Sequence, residues 1–539
     1  MTATTPLQLF GALVDSPAWP ALRLVLHLGL FLTALLILKG TVQLAYGAGS
    51  GTRGKGRRPG LPHLSTPLIL LVLLFVAVLV HQASWQLTGL FRPEFVAFMQ
   101  SHDRREFNPA HRIHRGRILD RNGEVLAYSR EQEGQVLRIY PFGPAFAHVV
   151  GYSHPRFGTT GAEAAANARL NGADPERLAS WGELGRQLVI GDKRPRGQDL
   201  VLTLDARLHG LALRGLGERH GAAMLLRPRD GAVLALVSSP SFDPNQIGAA
   251  LFQRPPADNP LLNRATQGLY PPGSVFKVVM ATLALESGFT GTIDCPAAGY
   301  TTSRHYPPIR DHEFYSARAS GRDWGGHGRL DLSSALAQSS NVFFAQLGVR
   351  YGHDALSAIG ERLLFDRELR LYPGTSRSGA MRTGRIPRIK HSDLYGLAQA
   401  SIGQGRVLVT PAHMALIAAA VANGGVAMRP RLFADEPPET LGTLMPPDTA
   451  RRLTRMMRRV VTEGTGRGID TPGLAIAGKT GTAENPHGPA HSWFIGFAPA
   501  ERPTLAVAVL VEHGGYGSRS AAPIARDLLV AGLGLGPGP

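Results

Sequence analysis

The segment at residues 271–277, Pro-Pro-Gly-Ser-Val-Phe-Lys, constrains this chain most, because it sets a turn and then the start of a helix. The apolar run that follows predicts a buried helix over residues 274–286. Lys277 lies one helical turn after Ser274, so the two side chains share a face. A buried lysine can lose its proton and serve as a base, whereas an arginine cannot. The segment therefore predicts a serine nucleophile beside a lysine base.

Lysine is rare in this sequence, with six lysines among 57 basic residues. Two of them, Lys277 and Lys479, stand among glycine, serine and threonine residues that suit a catalytic cleft. The base composition of the genome could also make lysine rare, and the positions of these two lysines would then be accidental. The shared setting of the two lysines favours a functional interpretation.

Two apolar stretches near the start, at roughly residues 24–46 and 67–90, each approach the ~20 residues that cross a bilayer. The second has no charged residue up to position 80. The first contains His27 and Lys39, and can instead lie at the membrane interface or pack against a partner. Neither resembles a cleaved signal peptide. Residues 1–90 are therefore predicted to form two transmembrane helices.

The loop between these stretches carries four basic residues: Arg53, Lys55, Arg57 and Arg58. Positive residues in short loops stay in the cytoplasm, so this loop is predicted to be cytoplasmic and both chain ends to lie outside. Several arginines between positions 104 and 117 argue the other way. The confined loop has the greater weight, so the body of the protein is predicted to be extracytoplasmic.

Charge and cysteine content narrow the function classes. The net charge of +17 is scattered rather than gathered in one aromatic-interleaved stripe, which disfavours nucleic-acid binding. Attraction to an anionic membrane surface or wall polymer explains the positive charge at least as well as nucleic-acid binding does. Cys295 is the single cysteine, so no intrachain disulfide forms, and it is predicted to be a small packed residue.

The remaining chain divides into two regions. Residues 91–215 consist of short segments broken by glycine and proline, and we interpret them as a pedestal domain resembling a dimerisation domain. Residues 216–539 begin with a hairpin pattern and contain helical patterns at 274–286 and 330–349. Three strand patterns at 474–484, 492–498 and 504–511 and a helix at 521–530 follow. This order predicts an α+β fold with an antiparallel five-stranded sheet flanked by helices.

A second motif, Ser339-Ser-Asn341, follows the first in the chain. A hydroxyl at Ser339 can relay a proton, and an amide at Asn341 can hold both Lys277 and a substrate backbone. The backbone N–H of Ser274, at a helix start, is free to help bind an oxyanion.

A third motif, Lys479-Thr-Gly-Thr482, falls on a predicted strand. On a sheet edge, such a strand lets an extended peptide dock by strand addition. Gly481 leaves room for that approach. Thr480 and Thr482 can hold a terminal carboxylate with help from Lys479.

Together the three motifs resemble those of penicillin-interacting serine enzymes, although each alone is common by chance. The chain looks like a class B penicillin-binding protein, a peptidoglycan D,D-transpeptidase, over roughly residues 110–530. Further matching segments are Asn259-Pro-Leu-Leu-Asn-Arg264, Tyr270-Pro-Pro-Gly-Ser274, Ile402-Gly-Gln-Gly405, Thr410-Pro411, Trp493-Phe-Ile-Gly-Phe497, Arg115-Gly-Arg-Ile-Leu-Asp-Arg-Asn-Gly123 and Gly151-Tyr152. The first apolar stretch departs from the family, which usually has one membrane span.

The resemblance implies that Ser274 is acylated, that Lys277 is its base, and that Ser339 and Asn341 complete the catalytic group. Backbone N–H groups of Ser274 and Thr482 would form the oxyanion hole. The resemblance also implies a stem-peptide substrate ending in D-Ala-D-Ala and inhibition by β-lactams. It implies that the protein is located in the bacterial inner membrane. A membrane glycan polymerase and a cell-wall assembly complex are the expected partners. No metal, cofactor or nucleic acid is implied.

Other functions stay open at this point. The same site acts as a D,D-carboxypeptidase if water is the acceptor, and a non-enzymatic β-lactam sensor or scaffold can retain the fold. A β-lactamase is disfavoured, because the sequence has no segment resembling the usual setting of the additional deacylating glutamate.

Several other residues are given structural interpretations. The irregular spacing of His305, His312 and His327 favours solvated loop histidines over a metal site. Tyr270 and Trp493 are predicted to be packing residues close to the cleft. The arginines at positions 451–458 are predicted to form the solvent-exposed face of a helix.

Overall fold

The computed structural model describes residues 75, 114–132, 135–172, 197–253, 259–373 and 379–535. Apart from residue 75, the two predicted membrane spans and the basic loop lie outside these residues. Within the described residues, no helix combines the length and the apolar character needed to cross a membrane. The described residues from 114 onward belong to one compact unit.

The described residues contain strands that range from 2 to 11 residues in length. The strands are β1 (Ile118–Leu119), β2 (Val125–Gln132), β3 (Gln135–Ile139), β4 (Ser153–His154), β5 (Gly158–Thr159), β6 (Leu200–Val201), β7 (Gly221–Leu226), β8 (Val233–Ser239), β9 (Thr292–Pro296), β10 (Gly326–Asp331), β11 (Glu368–Arg370), β12 (Ala380–Arg382), β13 (Val426–Met428), β14 (Thr440–Thr443), β15 (Ala477–Asn485), β16 (Gly488–Ala498) and β17 (Leu505–Val511).

Helices fill the intervals between the strands. They are α1 (Ala147–Val150), α2 (Gly161–Ala165), α3 (Asn167–Leu170), α4 (Ala206–Leu216), α5 (Ala249–Phe252), α6 (Lys277–Glu286), α7 (His312–Ala319), α8 (Leu332–Gln338), α9 (Asn341–Arg362), α10 (Leu394–Ser401), α11 (Pro411–Ala422), α12 (Pro447–Thr462) and α13 (Ala521–Gly532), with 3-10 turns at Gly143–Phe146, Gly273–Phe276 and Arg467–Ile469. Helix α9 bends at Gly352, whose φ is 84°.

The predicted five-stranded antiparallel sheet is confirmed, with strand order β15–β16–β17–β7–β8. Strand β17 is apolar throughout because both faces of the sheet are covered, and alternate side chains point to opposite faces. Ala508 joins the core on the side of α11, while Val509 joins the core on the side of α4 and α13. The sheet thus lies between two helical layers, and β15 forms one of its edges.

The predicted helix at 330–349 is wrong as a single element, because the chain breaks between α8 and α9. Ser339 ends α8 with a left-handed φ of 61°. Ser340 then caps α9, because its hydroxyl accepts a hydrogen bond of 3.1 Å from the N–H of Phe343. The break places the second motif at the start of a helix.

The pedestal contains a four-stranded sheet of order β3–β2–β1–β6. Its buried centre is Glu163, whose carboxylate pairs with Arg115 at 2.7 Å and with Arg138 at 2.6 Å. Helix α4 crosses the predicted domain boundary between residues 215 and 216 and packs against the five-stranded sheet.

Candidate active site

The turn that carries Ser274 is a 3-10 helix that leads directly into α6. Residues three apart eclipse in this geometry, so Ser274 and Lys277 lie on one face. Gly273 has a φ of 53°, and a Cβ on it would stand 2.5 Å from the carbonyl oxygen of Thr482. A glycine is therefore required for the nucleophile turn to approach β15 this closely.

Trp493 and Tyr270 are the aromatic residues next to this turn. Trp493 is fully buried, and its Nε1 donates a hydrogen bond of 3.0 Å to the carbonyl of Pro271. The Tyr270 hydroxyl donates to Oε1 of Glu512 at 2.7 Å, and Nε of Arg264 donates to the same oxygen at 2.8 Å. Both aromatic residues are packing residues, as predicted. Glu512 was not singled out, because a lone carboxylate after a strand carries no sequence signal.

Lys277 is fully buried at the base of the site. Its Nζ donates to the carbonyl of Ser339 at 2.5 Å and to Oδ1 of Asn341 at 2.7 Å, so the first two motifs meet as predicted. Burial lowers the pKa of Lys277 to about 7, while the charges of Asp311 and Glu313 oppose that shift. Near neutral pH, a substantial fraction of Lys277 is therefore unprotonated.

Asn341 is held in one orientation by its surroundings. Its Nδ2 donates to the carbonyl of Arg310 at 3.0 Å, which leaves Oδ1 to face Lys277. The buried carboxylate of Asp311 accepts from the N–H of Asn341, from the N–H of Val342 at 3.1 Å and from the Ser340 hydroxyl at 3.0 Å. Asp311 thus satisfies backbone donors at the start of α9. It is a positioning residue that sequence reasoning missed, since it stands far from every motif along the chain.

The third motif reaches the same centre from β15. Lys479 is fully buried, and its Nζ donates to Oγ of Ser339 at 2.9 Å and to the carbonyl of Thr480 at 2.9 Å. Burial, and next the charge of Lys277, lower the pKa of Lys479 well below its usual range. The hydroxyls of Thr480 and Thr465 lie 2.6 Å apart, and the N–H of Thr465 donates to the carbonyl of Ala337 at 3.2 Å. The Gly-Thr-Gly sequence at 464–466 is the signal that could have identified this contact.

Gly481 and Thr482 complete the third motif. A Cβ on Gly481 would lie 2.9 Å from side-chain atoms of both Trp493 and Val275. The glycine therefore makes room for the nucleophile turn, and room for an approaching peptide stays a prediction. Thr482 is partly exposed, and its hydroxyl accepts a hydrogen bond of 3.4 Å from the N–H of Gly517.

The three histidines singled out in the sequence differ in position. His305 and His312 are exposed, as predicted. The prediction is wrong for His327, whose side chain is 12% exposed and lies on β10, where it faces Asp311 and Glu313. Within the described ranges, no group of three or more histidine, cysteine, aspartate or glutamate side chains is arranged to hold a metal ion. Cys295 is buried and unbridged, as predicted.

A partly exposed serine, two buried lysines and a Ser-x-Asn segment meet beside the edge of an antiparallel sheet. This combination defines the class of penicillin-interacting serine acyltransferases.

Comparisons with known proteins identify the family within that class. Residues 221–530 match the penicillin binding protein transpeptidase domain, and residues 115–198 match the penicillin binding protein A dimerisation domain. The chain is 35% identical over 458 residues to the peptidoglycan D,D-transpeptidase PbpA of Mycobacterium tuberculosis, covering 78% of this chain and 89% of that protein. It is 32% identical over 459 residues to the peptidoglycan D,D-transpeptidase MrdA of Acinetobacter baumannii, covering 74% and 66%.

A solved structure gives the same result. The ceftriaxone acyl-enzyme complex of penicillin-binding protein A from M. tuberculosis matches with a TM-score of 0.69 and 33% identity, covering 78% of this chain and 98% of that one. This chain therefore belongs to the penicillin-binding protein transpeptidase family, and the resemblance drawn from its motifs is confirmed.

Proposed function

We propose that this protein is a peptidoglycan D,D-transpeptidase that crosslinks stem peptides through an acyl-enzyme on Ser274. The observation that carries the proposal is the fully buried Lys277, which shares a face with Ser274 and is hydrogen-bonded to the second motif. A lysine with a pKa of about 7 is poised to accept a proton at neutral pH. The described site contains every side chain that the reaction requires, which disfavours a purely structural sensor.

Acylation begins with the substrate docked along β15. An extended stem peptide adds to this edge as a further strand, and its terminal carboxylate meets Thr482, with Thr480 and Lys479 in support. Ser274 Oγ attacks the carbonyl carbon of the penultimate D-Ala, and Lys277 Nζ takes the hydroxyl proton. Backbone N–H groups of Ser274 and Thr482 stabilise the oxyanion. That arrangement is supported by the close approach of Gly273 to Thr482.

Collapse of the tetrahedral intermediate breaks the D-Ala–D-Ala amide bond. The leaving amine needs a proton, and the Ser339 hydroxyl lies within hydrogen-bond reach of both lysines to relay one. An amine from a second stem peptide then attacks the Ser274 ester and forms the crosslink, which regenerates the serine hydroxyl. If water attacks instead, the same site is a D,D-carboxypeptidase.

The test of the nucleophile is covalent labelling. We expect fluorescent penicillin to label the wild-type protein and not Ser274→Ala, with mass spectrometry placing the adduct on the peptide that contains Ser274. An adduct on another serine would refute the assignment. Incubating the protein with a donor stem peptide, with and without an acceptor amine, separates the two reactions. Crosslinked product supports the transpeptidase, and release of D-Ala alone supports the carboxypeptidase.

We also propose that the protein is anchored in the bacterial inner membrane with its catalytic domain outside, where it works with a membrane glycan polymerase of the wall-assembly machinery. The apolar stretches and the basic loop at residues 53–58 support the anchoring. Cysteine probes at Ser50 and Gly123, in a Cys295→Ser background, test the topology with an impermeant maleimide. We expect the Gly123 probe alone to react in intact, wall-permeabilised cells; reaction at Ser50 would reverse the loop assignment.

A further inference from the structure

Two carboxylates lie close to the proposed base. Asp311 binds the start of the second motif, and Glu313 follows on the first turn of α7. Their charges raise the pKa of Lys277 against the effect of burial. Because a protonated lysine cannot accept the serine proton, these carboxylates on their own oppose catalysis at neutral pH.

His327 lies between the two carboxylates. Its Nε2 is 3.5 Å from Oε2 of Glu313 and 3.8 Å from Oδ2 of Asp311. These are ion-pair distances, longer than most hydrogen bonds. The ring of Trp324 packs edge-on against the imidazole at 5.0 Å between ring centroids, and the His327 side chain is largely buried. Within the described part of the chain, His327 is the basic side chain that lies within ion-pair distance of both carboxylates.

The surroundings of His327 favour its charged form. Burial disfavours the charge, but the contact with Glu313 and the charges of Asp311 and Glu313 outweigh burial and raise the pKa of His327. The charge of Lys277 acts in the opposite direction on the same group. Because coupling between two sites is reciprocal, an imidazolium at His327 also favours the neutral form of Lys277.

We propose that His327 is a positioning residue whose positive charge offsets the carboxylates of Asp311 and Glu313, and that it thereby keeps Lys277 available as the base. The inference deepens the proposed function and rests on it, because it assumes that Lys277 takes the Ser274 proton. Asp311 remains free to hold the start of α9 without opposing the chemistry beside it.

Three other titratable groups face this cluster. Lys479 approaches Lys277 from β15, through the shared Ser339 hydroxyl. Cys295 on β9 has a pKa raised to about 11 by burial, so its thiol is neutral. His312 neighbours Glu313 on α7, is exposed to solvent, and has its Nε2 2.8 Å from the Ser316 hydroxyl. None of these side chains takes the position of His327 between the two carboxylates.

The test is the pH profile of acylation, measured as the second-order rate of reaction of the full chain with benzylpenicillin. The acidic limb of this profile reports deprotonation of the base in the free enzyme. In His327→Gln, the limb is expected to move to higher pH by about one unit, the lower end of the effect of a nearby charge. At pH 6 the rate then falls about tenfold, and the wild-type and variant rates converge at high pH.

A second substitution separates charge from packing. Glu313→Gln added to His327→Gln removes one of the uncompensated carboxylates, so the limb is expected to return toward the wild-type position. A purely structural role of His327 predicts that Glu313→Gln moves the limb equally with and without His327, whereas the pairing predicts a larger shift in the His327→Gln background. Glu313 is 39% exposed, so Glu313→Gln alone is expected to fold, and it should move the limb to lower pH. His327→Asn, a smaller neutral side chain, removes the same charge and keeps the test valid if His327→Gln misfolds.

The matched control is His305→Gln, which removes an exposed histidine from the same β9–β10 connection and should leave the limb in place. A folded His327→Gln or His327→Asn protein with the wild-type limb would overturn the inference. Lys277→Arg distinguishes that outcome from failure of the proposed function. If Lys277→Arg is inactive while the limbs stay fixed, only the role of His327 is lost. If Lys277→Arg acylates normally, the base assignment itself fails.

Discussion

Lys479 Nζ donates a hydrogen bond of 2.9 Å to Oγ of Ser339, which joins the third motif to the second. The same hydroxyl lies 3.4 Å from Nζ of Lys277, so one hydroxyl stands between two buried lysine amines. Burial lowers the pKa of both lysines, and the charge of Lys277 lowers that of Lys479 further. The two lysines therefore titrate as a coupled pair, with Ser339 as the group through which a proton can pass between them.

Removal of that hydroxyl should slow acylation. Ser339→Ala keeps the carbonyl that holds Lys277 but loses a hydrogen bond to a charged group, worth about 1.5–3 kcal/mol, or about ten- to a hundredfold in rate. Ser339→Gly is the control, because glycine accepts the positive φ of this position without strain. Equal losses in both variants, measured as penicillin acylation rates, would assign the effect to the hydroxyl. A normal rate in folded Ser339→Gly would exclude the relay.

The hydroxyl pair of Thr465 and Thr480 predicts a smaller effect. Thr465→Val keeps the shape of the side chain and removes one hydrogen bond between neutral groups, worth about 0.5–1.5 kcal/mol. Acylation should fall about two- to tenfold, since Thr480 loses the support that orients it for the ligand. Thr462→Val is the matched control, because among the described residues the Thr462 hydroxyl donates to two carbonyls of its own helix. Equal acylation rates in the two variants would remove Thr465 from the site.

Two glycines with similar backbone angles should respond differently to alanine. Gly403 has a φ of 75°, and a Cβ there would stand 2.1 Å from the carbonyl oxygen of Gly273 in the nucleophile turn. Gly424 has a φ of 65° with open space around it. Gly424→Ala should cost only backbone strain, about 1–2 kcal/mol, and leave acylation unchanged. Gly403→Ala should also displace Ser274 and lower the acylation rate at least tenfold. Thermal melts show whether each variant is folded. Equal acylation rates in the two folded variants would contradict the close contact.

The motifs predict the site because their chemistry depends on residue type and spacing. Ser274 and Lys277 are one turn apart, and a helix or a 3-10 turn brings both to one face. The sheet was predictable for a related reason, since apolar strands such as β17 can be stable only in the middle of a covered sheet.

The residues that hold the motifs in place were not predictable in this way. Asp311 reaches Asn341 from a segment 30 residues away, and Glu512 reaches Tyr270 across 242 residues. A single carboxylate at such a separation has no periodicity or spacing that marks it. The break at Ser339 was missed for a similar reason, because a left-handed serine between two helices depends on contacts that only the folded chain makes.

Burial of Lys277 should also appear in the pH dependence of stability. Its pKa falls from 10.5 in the unfolded chain to about 7 in the folded protein, so between these values the unfolded state binds more protons. Stability then rises with pH by up to about 1.4 kcal/mol per unit from this group, and below pH 7 the cost of burial is fully present. Lys277→Met removes that cost, so its gain in unfolding free energy should be larger at pH 7 than at pH 9. A gain independent of pH, in denaturant titrations at both values, would contradict the low pKa.

The base assignment is tested most directly by Lys277→Arg. The substitution keeps a positive charge and a similar length but removes the ability to accept a proton, so acylation should fall by about 10²–10⁴-fold. Because Lys277 is fully buried, Lys277→Met serves as a second variant that lacks the base without burying a charge, and it should be equally slow. Lys390→Arg, at an exposed position, controls for the change of residue type and should react normally. The measurement is the second-order rate of penicillin acylation, with thermal melts to confirm folding. A folded Lys277→Arg protein that acylates at the wild-type rate would exclude lysine as the base and favour the sensor or scaffold on the same fold.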